Sequence, residues 1–375
     1  MRIGINTRFL LAKHIEGIGR FTLETVRRMV LSHPDDEFIF FFDRPYSDDF
    51  IFAENVRPVV LYPPARHPVL FFLWFEIAVA YALKKHRCDV FFSPDSFLSL
   101  GTSVPTAIVS HDLAYLHRPN DVSGLVKRYY QYFSPRFHEK ASHIFAVSNY
   151  TRQDILTQYP SVLPSKVSVA YNACDENLYF PLTIADKNAV KAQFSQGKPY
   201  FLYVGSVHPR KNLLNLLKAF ELFKQNNLES DLLLVIAGRI AWQTGEMTNF
   251  YEKMAARESV KFLEFVPQGD LTRLIAASFA LCYVSLFEGF GIPILEAMHC
   301  ETPVITSNCS SMPEVAGDAA LLINPYNPQD ISDGLTRLYR DETLRATLIE
   351  KGKVRRQTFS WDESTRHIWE VLKTL

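Results

Sequence analysis

The clearest chemical signal in this sequence is the segment LFEGFGIPILEAM, residues 286–298, in which two glutamates flank a glycine-rich stretch. The glycines allow the backbone to approach a ligand closely, and Pro293 favours the first turn of a helix. A helix that begins here presents free backbone N–H groups and the positive end of its dipole, which together suit an anion such as phosphate. The residues predicted to form this loop and helix start are Gly289, Phe290, Gly291 and Ile292.

The two glutamates can contact different parts of a ligand that carries such a phosphate. Glu296 comes four residues after Ile292, about 6 Å further along the helix at a rise of about 1.5 Å per residue. From there a carboxylate can accept hydrogen bonds from both vicinal hydroxyls of a ribose, whereas Glu288 in the loop can face a sugar beyond the phosphates. The alternative is that both glutamates are solvated, as most are, but the strand end and the small residues around them favour a site.

A second cluster follows the predicted strand YFLYVG, where Gly205 and Ser206 lead to the adjacent cations Arg210 and Lys211 at the start of an amphipathic helix. The helix dipole opposes cations at that position, so a bound anion would relieve the conflict, although a surface charge pair is the alternative. The chain has no Asp-x-Asp motif and no cluster with metal-ligand spacing. We therefore expect no metal and no cofactor, with Arg210 and Lys211 neutralising a diphosphate.

Two further motifs lie in the first half of the chain. His111 follows the predicted strand TAIVS, which places an imidazole where it could hydrogen-bond a sugar hydroxyl, although a lone histidine is more often structural. Gly17 and Gly19 could open a helix toward a phosphate or an acceptor. They lack the third glycine and the acidic residue of the dinucleotide-binding fingerprint, so a dehydrogenase is poorly supported.

Composition limits the class of protein. The chain has 375 residues with 40 basic and 40 acidic side chains, so its formal net charge is zero, and it contains 29 Phe and 17 Tyr. A nucleic-acid-binding protein would usually be basic, and a disordered chain would lack these aromatic residues. The five cysteines form no CxxC pair, and the N-terminus has no secretory signal. We expect reduced thiols and a cytoplasmic location, with no nucleic-acid partner.

The elements that must position these motifs alternate between short apolar strands and longer helix-period segments, which predicts an α/β fold with open parallel sheets. The pattern restarts at YFLYVG, and we place an irregular connection at residues 172–188. This gives an N-terminal domain at 1–180, a second domain at 181–358 and a last helix at 359–375. Ligands bind at the carboxyl ends of strands in such sheets, so a cleft between the domains is expected. The predicted strands are 2–6, 37–42, 89–93, 106–110, 143–148, 166–171, 200–205, 232–238, 260–266, 280–285, 302–307 and 320–324.

The most apolar stretch is VLFFLWFEIAVAYAL, residues 69–83. It contains Glu76 and is shorter than the roughly 20 residues that a membrane-spanning helix requires, so a buried helix is predicted. The basic run LKKHR that follows leaves open an alternative, peripheral contact with the inner face of a membrane.

The segment EGFGIPILEAMHCETPVITSNCSSMPEVAGDAALLINP, residues 288–325, resembles the C-terminal domain of glycosyltransferase family 4. The resemblance extends through VGSVHPRKNL (204–213) and, more loosely, through VSHDLAYLHRP (109–119) and VSNYTRQDI (147–155). It implies the GT-B fold, two Rossmann-like domains whose parallel sheets face each other across a deep cleft, with the last helix, from about Trp361, returning to the N-terminal domain.

The resemblance also implies a role for each candidate residue. Lys211 and Arg210 would hold the donor diphosphate, Glu288 the donor sugar and Glu296 the ribose, and His111 would touch the transferred sugar. One departure is Ser206, where many relatives have an arginine. Either Arg210 substitutes for that arginine, or the diphosphate rests on Lys211 and the helix N-terminus and the donor is bound more weakly. The loop that would meet the nucleobase consists of Phe265, Val266 and Pro267.

The expected function is transfer of a hexosyl group, with retention of configuration and without a metal, from a GDP- or UDP-linked sugar to a glycan or lipid-linked acceptor. A mannosyl donor such as GDP-mannose is preferred, because PRKN and HDLAYL are similar to segments of bacterial polysaccharide mannosyltransferases. The alternatives are a nucleotide-sugar epimerase of the same fold and a non-catalytic module that binds nucleotide sugars or glycans. The sequence does not indicate an oligomeric state.

Overall fold

A computed structural model describes residues 1–11, 15, 17–239 and 245–375 of the chain. The chain divides into one unit made of Met1–Asn172 with Ser360–Leu375 and a second made of Ala173–Phe359. The division after Asn172 lies earlier than the boundary expected after residue 180. The reason is that Tyr179 is buried and its hydroxyl accepts a hydrogen bond from Gln268 of the second unit.

The first unit is built on a seven-stranded sheet in which all neighbouring strands are parallel. Its strand order is β3-β2-β1-β4-β5-β6-β7. The inner strands are almost wholly buried because helices cover both faces of such a sheet, which explains continuous apolar runs such as EFIFFF. The strands are β1 (Arg2–Asn6), β2 (Glu37–Phe42), β3 (Val56–Val60), β4 (Val90–Ser93), β5 (Thr106–Ser110), β6 (His143–Ala146) and β7 (Val167–Val169).

Strand β3 is absent from the strands predicted from sequence. Its sequence, VRPVV, carries Pro58 in the middle, and proline cannot donate a hydrogen bond to a neighbouring strand. The structure tolerates Pro58 because β3 lies at the edge of the sheet, where only β2 pairs with it. The list of strands predicted from the sequence is therefore incomplete at this edge.

The C-terminal helix packs against the first helix of the same unit. The Arg28 Nε atom donates to Asp362 Oδ1 at 2.7 Å, and the rings of His33 and Trp369 stack with their centroids 3.8 Å apart. The helices of this unit are α1 (Gly17–Ser32), α2 (Pro68–Phe72), α3 (Ala80–Lys85), α4 (Ala114–His117), α5 (Gly124–Lys140), α6 (Asn149–Gln158) and, from the C-terminal segment, α15 (Trp361–Leu372).

The apolar stretch at 69–83 forms one continuous helical segment, in which the π-helical turns Leu73–Val79 join α2 to α3. Trp74, Phe75 and Val79 are fully buried in the core of the first unit. The prediction of a buried helix is wrong for the opposite side, because apolar side chains there are exposed. None of the helices among the described residues is both long and apolar enough to cross a membrane.

The second unit contains a six-stranded, all-parallel sheet in the order β10-β9-β8-β11-β12-β13. Its strands are β8 (Tyr200–Val204), β9 (Leu233–Ala237), β10 (Val260–Leu263), β11 (Ala280–Tyr283), β12 (Val304–Ser307) and β13 (Leu321–Ile323). Its helices are α7 (Ile184–Ser195), α8 (Leu213–Asn226), α9 (Gly245–Lys253), α10 (Gln268–Ala277), α11 (Ile292–His299), α12 (Met312–Ala316), α13 (Pro328–Arg340) and α14 (Glu342–Arg355).

The core of the second unit lies between this sheet and the helices α8 and α13. Phe220 and Phe223 of α8, together with Leu335 of α13, belong to one buried cluster with strand residues such as Ile305. The sheet runs outward in both directions from the neighbours β8 and β11, so the strand order reverses between them. Loops that leave the carboxyl ends of two such strands diverge and leave room for a ligand.

The start of α1 contains a close approach that depends on glycine. A Cβ atom placed on Gly19 would lie 2.5 Å from the backbone oxygen of Phe9, whereas one placed on Gly17 would meet nothing within 4 Å. Gly19 is therefore required by packing between the helix and the segment after β1. Gly17 is not.

We expect Gly19→Ala to lower the free energy of unfolding by about 1–3 kcal/mol, because the clash is with backbone that cannot rotate away. Gly17→Ala is the matched control and should range from no change to about 1 kcal/mol of added stability, since alanine favours a helix. Urea denaturation of both variants measures the two values. Equal effects at the two positions would contradict the close approach.

Candidate functional site

The candidate site lies where the strand order of the second sheet reverses. The chain leaves β8 through Gly205 and Ser206 and reaches the 3₁₀ turn Pro209–Lys211 just before α8. It leaves β11 toward the glycine-rich loop, and the Leu286 N–H donates to the Arg210 oxygen at 2.8 Å, which ties the two loops together. Residues far apart in sequence therefore meet at the carboxyl ends of β8 and β11.

Arg210 and Lys211 both form ion pairs with Glu288. The Arg210 Nη1 atom lies 2.9 Å from Glu288 Oε2, and the Lys211 Nζ atom lies 2.7 Å from Oε1. Arg210 Nη1 also donates to the Phe287 oxygen at 2.9 Å. The side chain of Glu288 is only 8% exposed, so each of its oxygens faces one cation in a poorly solvated place. The cluster carries one net positive charge.

The electrostatics of this cluster keep Glu288 ionised. Burial by itself raises the pKa of the Glu288 carboxyl, but the charges of Arg210 and Lys211 outweigh it and lower the pKa to about 2. At neutral pH the carboxylate can accept hydrogen bonds but has no proton to donate. Sequence reasoning treated Glu288 and the two cations as separate contacts, and the structure joins them.

Tyr283 completes the cluster, and sequence reasoning did not single it out. Its hydroxyl accepts a hydrogen bond from Lys211 Nζ at 3.0 Å and donates one to Glu288. Burial, followed by the charge of Glu288, raises the pKa of the Tyr283 hydroxyl well above its ordinary value, so it keeps its proton. The only sequence signal was a tyrosine at the last position of a strand directly before the glycine-rich loop.

The conformation of the glycine-rich loop before α11 is fixed by one glycine and by hydrogen bonds to its backbone. Gly291, the residue before the helix, has φ of +111°, a conformation that a side chain would strain. The Ser311 hydroxyl lies 2.8 Å from the backbone carbonyl oxygens of both Glu288 and Phe290 and hydrogen-bonds to them. Gly289, Phe290 and Gly291 thus form the predicted loop, and α11 begins at Ile292 with a proline in its first turn.

Glu296 lies on α11 and forms a hydrogen bond with Tyr179, which precedes β8 in the chain. The buried Tyr179 hydroxyl hydrogen-bonds to the Glu296 carboxylate and accepts a 2.7 Å hydrogen bond from Gln268 Nε2. Burial is the main cause that raises the pKa of Tyr179, and the Glu296 charge adds to it. Tyr179 therefore acts as a donor that fixes Glu296, a contact that the sequence did not predict.

The remaining candidates of the second unit lie on neighbouring loops. Gly205 donates its N–H to the Ala237 oxygen at 3.0 Å, and the Ser206 oxygen accepts from the Tyr203 hydroxyl at 3.1 Å. Phe265, Val266 and Pro267 connect β10 to α10, and the Phe265 ring is mostly exposed. No group of three or more His, Cys, Asp and Glu side chains with the arrangement of a metal site occurs within the described ranges.

The other predicted site residues belong to the first unit. His111 follows β5, and its Nε2 atom lies 2.9 Å from the Pro94 oxygen. Because a carbonyl only accepts, Nε2 carries the proton and Nδ1 is left as an acceptor. Burial lowers the pKa of His111, which favours this neutral form. Gly17 is the first residue of α1, and Gly19 lies two residues further on.

Two sequence profiles of known families match this chain. Residues 15–178 match the profile described as Glycosyltransferase Family 4, and residues 185–355 match the one described as Glycosyl transferases group 1. The chain therefore contains a Glycosyltransferase Family 4 domain and a Glycosyl transferases group 1 domain, and it is a glycosyltransferase. The resemblance inferred from residues 288–325 is confirmed, as is the predicted fold of two Rossmann-like domains with parallel sheets.

Relatives of this glycosyltransferase include two proteins of O-antigen synthesis. The chain is 28% identical over 376 residues to O-antigen chain mannosyltransferase B of Escherichia coli, a match that covers 96% of this chain and 97% of that one. It is 29% identical over 218 residues to O-antigen chain mannosyltransferase RfbU of Salmonella typhimurium. That second match covers 58% of this chain and only 56% of the Salmonella protein.

Solved structures share its GT-B fold. Anabaena HepE in complex with UDP and glucose is similar over the full length of both chains, with a TM-score of 0.77 and 18% identity. WaaG, a glycosyltransferase involved in lipopolysaccharide biosynthesis, is similar over 99% of each chain, with a TM-score of 0.76 and 15% identity. At sequence identities this low, the similarity shows only that the fold is shared.

The lowered pKa of Glu288 predicts a dependence of stability on pH. The ionised carboxylate stabilises the folded state above the pKa of an unfolded glutamate, and this contribution is lost as the pH falls toward 2. In total, the ionised carboxylate contributes about 3 kcal/mol to the free energy of unfolding. Glu288→Gln lacks this contribution at every pH. The difference in unfolding free energy between the native protein and the variant should therefore narrow as the pH falls from about 5 to about 2. A difference that stays constant over this range would contradict the ion-pair cluster.

Proposed function

We propose that this glycosyltransferase moves a mannosyl group from GDP-mannose onto a glycan or lipid-linked acceptor, with retention of configuration, in the synthesis of a cell-surface polysaccharide. The observation that carries the proposal is the buried cluster of Arg210, Lys211 and Glu288 beside the start of α11. The names of the two O-antigen mannosyltransferases support the choice of sugar and pathway, and Anabaena HepE with UDP and glucose supports a nucleotide-sugar donor.

The diphosphate of the donor would lie between the two cations and the N-terminus of α11. Arg210 offers a planar fork of donors and Lys211 a compact charge, and the first N–H groups of α11 would add further donors to the diphosphate. As the bond to the sugar breaks, negative charge grows on the departing phosphate. Fixed positive groups stabilise this charge more in the transition state than in the bound donor, which lowers the barrier.

Glu288 would position the cations and the sugar but supply no proton. With its pKa lowered to about 2, it stays ionised and accepts hydrogen bonds, for instance from hydroxyls of the donor sugar. The proton of the acceptor must then go elsewhere. We assign it to the departing phosphate oxygen, on the same face as the attack, which accounts for retention without a separate base.

The nucleoside would be held by Glu296 and the loop at 265–267. The carboxylate of Glu296 would accept hydrogen bonds from the ribose hydroxyls while Tyr179 holds it from the other side. The exposed ring of Phe265 offers an apolar surface to the base. His111 would accept a hydrogen bond from a sugar hydroxyl through Nδ1, and Gly17 and Gly19 would line the acceptor side of the first unit. No metal ion is invoked in this proposal, because Arg210, Lys211 and the positive end of the α11 dipole would together offset the charge of the diphosphate.

The proposal is tested by incubating the full chain with GDP-mannose, UDP-glucose or UDP-N-acetylglucosamine and a lipid-linked or soluble glycan acceptor, with and without excess EDTA. We expect transfer or slow hydrolysis with GDP-mannose, and we expect its rate to be unchanged by EDTA. NMR of the product should show that the mannosyl linkage is axial at the anomeric carbon, as it is in the donor.

Glu288→Ala should lower kcat/KM by about 100-fold or more, whereas Glu258→Ala, an exposed control, should not. If neither transfer nor hydrolysis occurs with any of the three donors, the proposed transfer is refuted. Formation of an isomerised nucleotide sugar without an acceptor would indicate an epimerase instead.

Tyr179→Phe should raise KM for the donor about tenfold with little change in kcat, because the ribose is bound equally in the ground and transition states. The matched control is Tyr200→Phe, which removes a buried hydroxyl that donates to the Leu274 oxygen at 2.7 Å, away from Glu296. The control should lower stability to a similar degree and leave KM unchanged. A fall in kcat with an unchanged KM would contradict a ribose role for Glu296.

A further inference from the structure

The first unit carries an exposed apolar stripe on the helical segment 68–85. Val69, Phe72, Ile77 and Tyr81 are 57%, 42%, 58% and 67% exposed, although Trp74 and Phe75 between them are fully buried. The residues recur at three- to five-residue intervals, as one side of a helix with a π-helical insertion requires. The core of the unit is already supplied by the opposite side, so the stripe is left for another surface.

Helix α5 extends this stripe sideways. The ring of Phe72 lies 6.0 Å from that of Phe133, and Phe133 lies 4.8 Å from Tyr132, which is exposed. An unbroken chain of ring contacts therefore joins the two helices. We call the surface made of Val69, Phe72, Ile77, Tyr81 and Tyr132 the α2–α5 face.

Basic residues outnumber acidic ones in the two segments that form the α2–α5 face. Residues 66–87 and 124–140 contain two acidic side chains, Glu76 and Glu139, within a chain whose formal net charge is zero. Glu76 is turned toward its own unit, where it accepts hydrogen bonds from the N–H groups of Leu100 at 2.9 Å and Gly101 at 3.1 Å. The same two ranges hold eight basic side chains: Arg66, Lys84, Lys85, Arg87, Lys127, Arg128, Arg136 and Lys140.

Two of these basic side chains lie against the tyrosines of the face. The Arg136 guanidinium sits 3.8 Å from the centroid of the Tyr132 ring, and Lys85 Nζ lies 6.0 Å from that of Tyr81. Long cationic side chains beside interfacial aromatic rings can extend their charged ends toward headgroups while their stems stay on apolar surface. Lysine is depleted in protein interfaces, so the four lysines of these two segments favour a lipid surface over a protein partner.

We propose that the α2–α5 face docks onto a bilayer that contains anionic lipids. The apolar side chains enter the boundary between headgroups and acyl chains, and cations of the same two segments pair with lipid phosphates. The docking rests on the first unit alone and does not depend on which sugar is transferred. It would bring the acceptor-binding unit of the proposed transferase to a lipid-linked acceptor.

The test is flotation of the full chain with vesicles of phosphatidylcholine alone or with about 30% phosphatidylglycerol, at low and high salt. We expect binding to the anionic vesicles that weakens with salt and is at least about tenfold weaker to neutral ones. Ile77→Asp should reduce binding at all salt concentrations, and Lys84→Glu with Lys85→Glu should reduce it mainly at low salt. Both variants alter exposed side chains, so their thermal melting should match that of the native chain.

Two matched controls lie in the second unit. Ile184→Asp alters an isoleucine that is more exposed than Ile77, and Lys253→Glu with Arg257→Glu makes the same charge change on exposed cations. Both controls should bind vesicles as the native chain does. Equal binding to neutral and anionic vesicles, no binding at all, or equal losses in variants and controls would overturn the proposal. Turnover of a soluble acceptor without vesicles should be the same in all of these chains, which separates this result from the test of the proposed function.

Discussion

The ion cluster of Arg210, Lys211 and Glu288 imposes the constraint on which the second unit is organised. Two adjacent cations in a poorly solvated place repel each other, and a carboxylate with one oxygen on each relieves that repulsion. Because Glu288 comes from a different strand, the loops after β8 and β11 must be held in register. The Asn212 amide joins these two loops by donating to the Val284 oxygen at 3.0 Å, and it also donates to the oxygen of Pro325, after β13, at 2.7 Å.

The same cluster sets the chemical limits of the site. A carboxylate that holds two cations cannot also be a proton donor at neutral pH, and the Tyr283 hydroxyl keeps its own proton. What the cluster offers to a ligand is positive charge and hydrogen-bond acceptors. In the proposed function, a diphosphate would share the cations with Glu288, so donor binding and the orientation of Glu288 would be coupled. The departing diphosphate, rather than a protein base, would then carry the acceptor's proton.

The first unit shows how one helical segment can serve two surfaces. The inner side of residues 68–85 supplies Trp74 and Phe75 to the core, and hydrogen bonds from the loop at 99–101 occupy the single carboxylate, Glu76. The outer side keeps apolar residues that the core does not need. Hydropathy alone averages these two sides, and for this reason the sequence predicted a buried helix where the structure has a two-sided one.

The sequence by itself determined the alternation of strands and helices, the glycine-rich loop and the family, because periodicity, glycine and proline act over a few neighbouring residues. Tertiary structure alone decided the contacts between distant segments. Arg210 and Glu288 are 78 positions apart in the sequence, and they meet because β8 and β11 are neighbours in the sheet. No local pattern specifies that strand order. Tyr283 and Tyr179 acquire their partners in the same way, and Pro58 is tolerated in β3 only because that strand is at an edge. Local chemistry fixed which groups could act, and strand order fixed which of them meet.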